Sequence, residues 1–189
     1  MKTLKYIHIS NYITESGKAC SVNLSYQLFG KSLHTAPIVL VNHALTGNSN
    51  VSGKDGWWNS LIGPKKTIET NKYTILAFNI PGNGFDGFVI ENYKDFVARD
   101  VANLFLLGLD KLQIKKLFAV IGGSLGGGIA WEMAGLKPDF TEHLIPVATD
   151  WKSTDWLIAN CQIQEQFLLN SNNPVHDARM HAMLCYRTP

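Results

Sequence analysis

Ser124 lies in the run Gly122-Gly123-Ser124-Leu125-Gly126, where glycines two before and two after it give the G-x-S-x-G spacing of a nucleophile elbow. Ala119-Val120-Ile121 before it reads as an apolar strand, and Ile129 to Ala134 after it reads as a helix. At such a turn the hydroxyl is forced above the sheet edge, and the glycines remove Cβ atoms that would collide where strand and helix nearly touch. The N–H of Leu125, first in the helix, would face an oxygen turning negative beside Ser124. The chemistry is nucleophilic: a serine that takes an acyl group and passes it on. Two plainer readings exist, a glycine-rich turn with a surface serine and a phosphate cradle. A phosphate loop wants a lysine and a further Ser or Thr where Ile129-Ala130 stand, and these glycines do not follow G-x-G-x-x-G order.

The flanking elements must hold that serine in place. The first thirty residues alternate apolar and polar, as in Leu4 to Ile9 and Val22 to Leu28, and predict an antiparallel pair turning at Glu15-Ser16-Gly17-Lys18. Pro37–Val41, Tyr73–Phe78, Lys116–Ile121 and His143–Ala148 are continuous apolar runs, the texture of parallel strands covered on both faces. Between the second and third, a helix from Tyr93 to Leu109 is expected to bury Phe96, Val97, Val101, Leu104 and Phe105, ending at Gly108 or Asp110. An edge hairpin followed by β-α-β repeats, with the elbow after a central strand, is the order of an α/β-hydrolase fold. That fold is a mostly parallel sheet with antiparallel amino-terminal edge strands. Residues 1–150 are assigned to this core and 151–189 to the start of a helical cap. In the cap, Ser153-Thr154-Asp155 predicts a helix start. One amphipathic helix runs to Leu169, Asn170 to Pro174 breaks it, and a second runs from Val175 to Tyr186.

Composition narrows the partners. The chain has 189 residues, a formal net charge of +2 and 17% charged residues, an ordinary globular balance that does not point to nucleic acid. Cys20, Cys161 and Cys185 form no C-x-x-C pair and are odd in number, which argues against a disulfide framework or a zinc site. No apolar stretch suits a signal peptide or a membrane span, so a cytoplasmic location is expected.

After the first buried strand come Asn42-His43-Ala44-Leu45-Thr46-Gly47. In α/β-hydrolases this corner supplies the second oxyanion donor from its backbone, here by position the N–H of Leu45. His43 is expected to brace the loop rather than act as a base. Trp57 and Trp58 read as packing residues of a helix beyond it.

Taken with the elbow, His43-Ala44-Leu45-Thr46-Gly47, Gly56-Trp57-Trp58, Leu61-Ile62-Gly63-Pro64 and Ile121 to Gly127 resemble the homoserine O-acetyltransferase family, in family order. Ala178-Arg179-Met180 with Tyr186-Arg187-Thr188 is similar to a motif of that family's cap. The resemblance implies a core with a helical cap, often a homodimer through that cap. It also implies acetyl transfer from acetyl-CoA to the hydroxyl of L-homoserine in methionine biosynthesis, with no bound cofactor and no metal. Carried across, Ser124 is the acyl acceptor, Leu45 and Leu125 are the oxyanion donors, and Arg179 holds the amino-acid carboxylate near Tyr186. The loop Ile80 to Phe88 is shorter than the family's glycine-rich insertion, and the segment between the cap helices is compressed. None of the six histidines follows a late strand, so the catalytic Asp and His are expected beyond this sequence, in a longer enzyme truncated here within its cap. The rival readings are an esterase or thioesterase using water, a related succinyltransferase with homoserine or serine as acceptor, and a catalytically incomplete fragment.

Overall fold

The computed structural model describes residues 3–187; Thr188 of the cap motif lies outside them. The chain divides into two compact units, one ending at Trp151 and one beginning at Lys152.

The first unit is built on one six-stranded sheet. Its strands are β1 (Lys5–Ile13), β2 (Ala19–Gly30), β3 (Ile38–Asn42), β6 (Thr74–Phe78), β7 (Leu117–Gly123) and β8 (Thr141–Val147), lying side by side in the order β1-β2-β6-β3-β7-β8. β1 and β2 pair antiparallel, β2 pairs antiparallel with β6, and from β6 through β3 and β7 to β8 the pairing is parallel. Every residue of β3 and β6 is buried. Alternate side chains serve opposite faces: Leu40, Leu76, Phe78 and Val120 join one core cluster, and Val39, Val41, Ile75 and Ile121 join the other. Two helices cover the first face, α1 (Ala98–Lys111) and α2 (Leu125–Leu136). Phe105 of α1 stacks obliquely on Phe78, ring centroids 5.0 Å apart.

Three expectations are corrected. The stretch from Tyr93 is not one helix: a 3-10 turn at Tyr93–Asp95 precedes α1, and Val97 is 51% exposed. The cause is Asp100, whose buried carboxylate accepts the Val97 N–H at 2.9 Å, the Glu15 N–H at 2.8 Å and the Tyr12 hydroxyl at 2.8 Å. These three bonds fix the helix start at Ala98 and tie it to the edge hairpin. Burial and the adjacent Asp100 carboxylate push the Tyr12 phenol well above its ordinary range. The helix also runs past both Gly108 and Asp110 to Lys111. Finally, Trp57 and Trp58 stack at 4.6 Å in a turn-rich loop, not on a helix. That loop, which joins β3 to β6, adds a short parallel ladder of β4 (Ile62–Gly63) and β5 (Ile68–Glu69).

The second unit contains α3 (Asp155–Asn170) and α4 (Pro174–Tyr186). The Thr154 hydroxyl accepts the Leu157 N–H at 3.2 Å, as an N-cap does. Pro174 occupies the first turn of α4, where its missing N–H costs nothing. Gln164 of α3 donates to the Ala178 carbonyl of α4 at 3.1 Å. The expected amphipathic character of α3 is absent, because Trp156, Leu157, Ile158, Ile163, Leu168 and Leu169 are all exposed and none of its residues is buried.

Candidate active site

The strand-to-helix turn at Ser124 is strained and tightly held. Ser124 has φ 51° and ψ −118°, a left-handed conformation that costs a side-chain-bearing residue about 1–3 kcal/mol. Three backbone bonds enforce it. The Ser124 N–H reaches the Val147 carbonyl of β8 at 2.9 Å, and the Ser124 carbonyl accepts from Gly127 at 2.9 Å and Gly128 at 3.1 Å. The glycines are required sterically. A Cβ at Gly126 would meet the Asn42 carbonyl and lie 2.6 Å from that of His43. One at Gly122 would lie against the Gly126 carbonyl and 2.6 Å from the Gly127 nitrogen. The same close approaches show that the start of α2 presses on the end of β3. Ser124 itself is exposed at the crest, and the Leu125 N–H, first of α2, has no acceptor within its own helix.

Register brings the second loop alongside. Asn42 is level with Gly122 across β3 and β7, so the chain after Asn42 emerges at the same sheet edge as the chain after Gly122. Gly47 donates to the Ala44 carbonyl at 2.9 Å, closing a β-turn with Leu45 and Thr46 at its corners. The N–H of Leu45 takes no part in the turn's own bond. Leu45 is 73% exposed. The structure therefore brings Ser124, Leu125 and the Leu45 loop to one edge.

His43 is a brace. It is fully buried, its Nδ1 lies 2.7 Å from the Ala44 carbonyl, and its Nε2 accepts the Ile80 N–H at 2.9 Å. An acceptor at Nε2 and a donor at Nδ1 require the neutral ring, and burial lowers its pKa below the ordinary histidine value. Both ring nitrogens are engaged, so the ring is committed as a brace. The other three histidines of the first unit are all exposed: His8 lies 2.7 Å from Asn23, His143 is edge-on to Phe118, and His34 stands in the loop between β2 and β3.

Arg179 and Tyr186 stand on α4 of the second unit, both exposed. Seven residues apart, they project within about 20° of each other around the helix axis. Among the described residues Arg179 makes no ion pair.

Sequence reasoning missed a polar cluster under the Leu45 loop. Asn79, 1% exposed, follows β6. Its Oδ1 accepts the Ser49 N–H at 2.7 Å and its Nδ2 donates to the Ser25 hydroxyl at 2.8 Å. Asn83 donates to the Gly47 carbonyl at 3.3 Å. Scattered buried amides leave no periodic trace, so only the Asn79–Asn83 spacing after an apolar run hinted at them.

Comparison with known proteins agrees with this architecture. Residues 37–169 match the family model described as alpha/beta hydrolase fold. A homoserine O-acetyltransferase of Methanococcus vannielii is 33% identical over 190 residues, covering 90% of this chain and 39% of that protein. The crystal structure of homoserine O-acetyltransferase from Staphylococcus aureus superposes with a TM-score of 0.82 at 29% identity, covering 99% of this chain and 59% of the other. Esterase E22, at 24% identity and a TM-score of 0.77, shares the fold. With a six-stranded mixed sheet, a strained serine turn after β7 and a family match over residues 37–169, the chain belongs to the α/β hydrolase family, and it spans about half the length of the homoserine O-acetyltransferases it matches.

Proposed function

We propose that this chain is the nucleophile-bearing part of an acyltransferase that moves an acetyl group from acetyl-CoA to the hydroxyl of L-homoserine, in methionine biosynthesis. The single observation that carries the reading is the backbone at Ser124: a strained serine at the crest of a β-to-α turn, with the Leu45 loop in register beside it. Ser124 attacks the thioester carbonyl, and the carbonyl oxygen becomes an oxyanion between the N–H groups of Leu45 and Leu125. The oxyanion collapses, the C–S bond breaks, and CoA leaves as its thiol after taking a proton. The homoserine hydroxyl then attacks the acyl-serine, loses its proton, and regenerates Ser124. Arg179 grips the homoserine carboxylate with parallel hydrogen bonds, near Tyr186.

His43 is committed to its brace, and the resemblance to the homoserine O-acetyltransferases implies that the general base is a histidine, paired with an acid, in the part of those proteins that this chain does not span. Residues 151–189 are the start of a helical cap that keeps water from the acyl-serine. The exposed apolar side chains on α3 and α4 support a homodimer through that cap. No resident cofactor or metal is needed, and the site is cytoplasmic in keeping with its substrates. Among the described residues no helix is long and apolar enough to cross a membrane.

The test is CoA release from acetyl-CoA by the whole protein that carries this chain, with and without homoserine. Acceptor-dependent release supports the transferase, whereas equal release without acceptor makes the protein a thioesterase. Ser124→Ala is expected to cut turnover by about 10³-fold or more and to abolish the acyl-protein; acylation persisting on another residue would sink the assignment. Arg179→Ala is expected to raise KM for homoserine about tenfold, the loss of one charge-assisted pair, with acylation of Ser124 unchanged.

A further inference from the structure

The oxyanion corner is anchored from beneath by one short segment, residues 79–83, at three points. The Ile80 N–H is accepted by His43 at 2.9 Å, Asn83 Nδ2 donates to the Gly47 carbonyl at 3.3 Å, and Asn79 Oδ1 accepts the Ser49 N–H at 2.7 Å. These bonds bracket Leu45 on both sides. Asn83 Nδ2 also reaches Asn79 Oδ1 at 3.3 Å and lies 3.4 Å from His43 Nε2, so the three anchors form one connected set.

The orientation of the Asn79 amide is decided at the far end of a chain of bonds. Asp86 Oδ2 accepts the Ser25 hydroxyl at 2.5 Å. A carboxylate can only accept, so the Ser25 proton points at Asp86 and its oxygen is left to accept from Asn79 Nδ2 at 2.8 Å. That places Oδ1 toward the Ser49 N–H. With the amide reversed, NH₂ would face the Ser49 N–H and the carbonyl would face an oxygen whose proton is already given away. Both contacts would be lost inside a buried site, where leaving a donor and an acceptor unpaired is costly. The Ser49 hydroxyl is held as well, donating to Gln27 Oε1 at 2.8 Å on β2.

We infer that Asn79 and Asp86 are positioning residues for acyl transfer: the Asp86 carboxylate, acting through Ser25 and Asn79, locks the Ser49 end of the loop and so holds the Leu45 N–H where the oxyanion forms. The inference rests on the acyl-serine reading of Ser124. Complete removal of one oxyanion donor costs about 10²–10³ in rate, and a donor that is loosened but still present costs less than a missing one.

The experiment uses the whole protein that carries this chain, in four forms: native, Asn79→Ala, Asp86→Ala and Asp86→Asn. Four quantities are measured: kcat and KM for acetyl-CoA, affinity for a trifluoromethyl ketone thioester analogue, and melting temperature. That ketone forms a tetrahedral adduct whose oxyanion occupies the same donors. Asn79→Ala and Asp86→Ala are expected to lower kcat about tenfold and ketone affinity by a similar factor, with KM within twofold of native. Asp86→Asn, which can still accept from Ser25, is expected to recover most of both losses. Asp86 lies in a half-buried loop, so its variants remain informative even if Asn79→Ala does not fold. Unchanged kcat and ketone affinity in Asp86→Ala overturns the inference. So does a loss in which KM for acetyl-CoA rises as far as kcat falls, or an Asp86→Asn variant no better than Asp86→Ala. Ser124→Ala, run alongside, separates the two failures: a ketone adduct that survives it refutes the serine reading itself.

Discussion

The turn at Ser124 and the helix carrying Arg179 and Tyr186 are held by different forces. Around Ser124 the backbone is over-determined: three main-chain bonds, two glycines without room for a Cβ and a neutral histidine with both ring nitrogens engaged. On α3 and α4 the side chains have little to press against, with Ala178 the one buried residue among those described. Their helices are held by local devices, the Thr154 cap, Pro174 in the first turn and the bonds of Gln164. Strain can be stored only where the surroundings resist relaxation. A reactive conformation therefore belongs on the sheet edge. A binding arginine needs reach and charge more than rigidity, and it can stand on an exposed helix.

The sharpest way to break this contrast is to add one carbon. Gly126→Ala drives a Cβ into the carbonyls of Asn42 and His43 at the end of β3. Either the strand or the helix start must move. The expected cost is about 1–3 kcal/mol of stability, with acylation of Ser124 falling about 10²-fold as the Leu125 donor shifts. Gly135→Ala, near the other end of α2, has nothing within 4 Å of the new carbon and should gain up to about 1 kcal/mol from helix propensity. Thermal melting and acylation kinetics on both variants check the pair. Equal effects would mean that the elbow is no tighter than an ordinary helix.

A gentler probe uses pH. His43 titrates below the ordinary histidine value because burial disfavours its charged form, whereas in the unfolded chain it takes a proton near pH 6.5. Above that pH both states are neutral and the brace contributes fully. As pH falls below about 6.5 the unfolded state binds a proton that the folded state refuses, and stability declines until the folded ring also protonates. The slope from this one group is at most about 1.4 kcal/mol per pH unit. Denaturant midpoints measured from pH 7.5 to 5 should show this decline in the native protein and a flatter profile in His43→Gln. A native profile already flat across that range would mean that the ring is not desolvated.

Much of the core was legible because its physics is periodic or local. Unbroken apolar runs at Ile38–Val41 and Thr74–Phe78 announce strands covered on both faces, and these strands are buried throughout. The run beginning at His143 has the same texture, yet Ile145 and Val147 of β8 are exposed. A run of apolar residues states what a strand can bury, not whether anything covers it. Val97 fits the helical stripe of α1 but lies outside the helix, because a carboxylate three residues on captures its N–H. The turn at Ser124 was readable because its glycines fall within one five-residue pattern, although only Gly122 answers a steric demand inside that pattern, while Gly126 answers one from Asn42 and His43 at the end of β3. Asn79, Ser25 and Asp86 were not, since their bonds join positions up to 61 residues apart and polar residues in loops look alike whether buried or wet.

The smallest expected effect tests the other half of the contrast. If α3 is held by local devices, removing one of them should cost what that device is worth and no more. Thr154→Ala deletes the hydroxyl that accepts the Leu157 N–H, and a lost N-cap costs about 1 kcal/mol. Asp155 remains in the first turn, where its charge still favours the helix start. Hydrogen exchange should therefore show the amides of Leu157 and Ile158 opening about fivefold more readily, with amides near Gln164 changed little. Unwinding of the whole helix would show that α3 has no independent footing and hangs on its cap. No change at all would show that the amides of its first turn are satisfied by something other than Thr154.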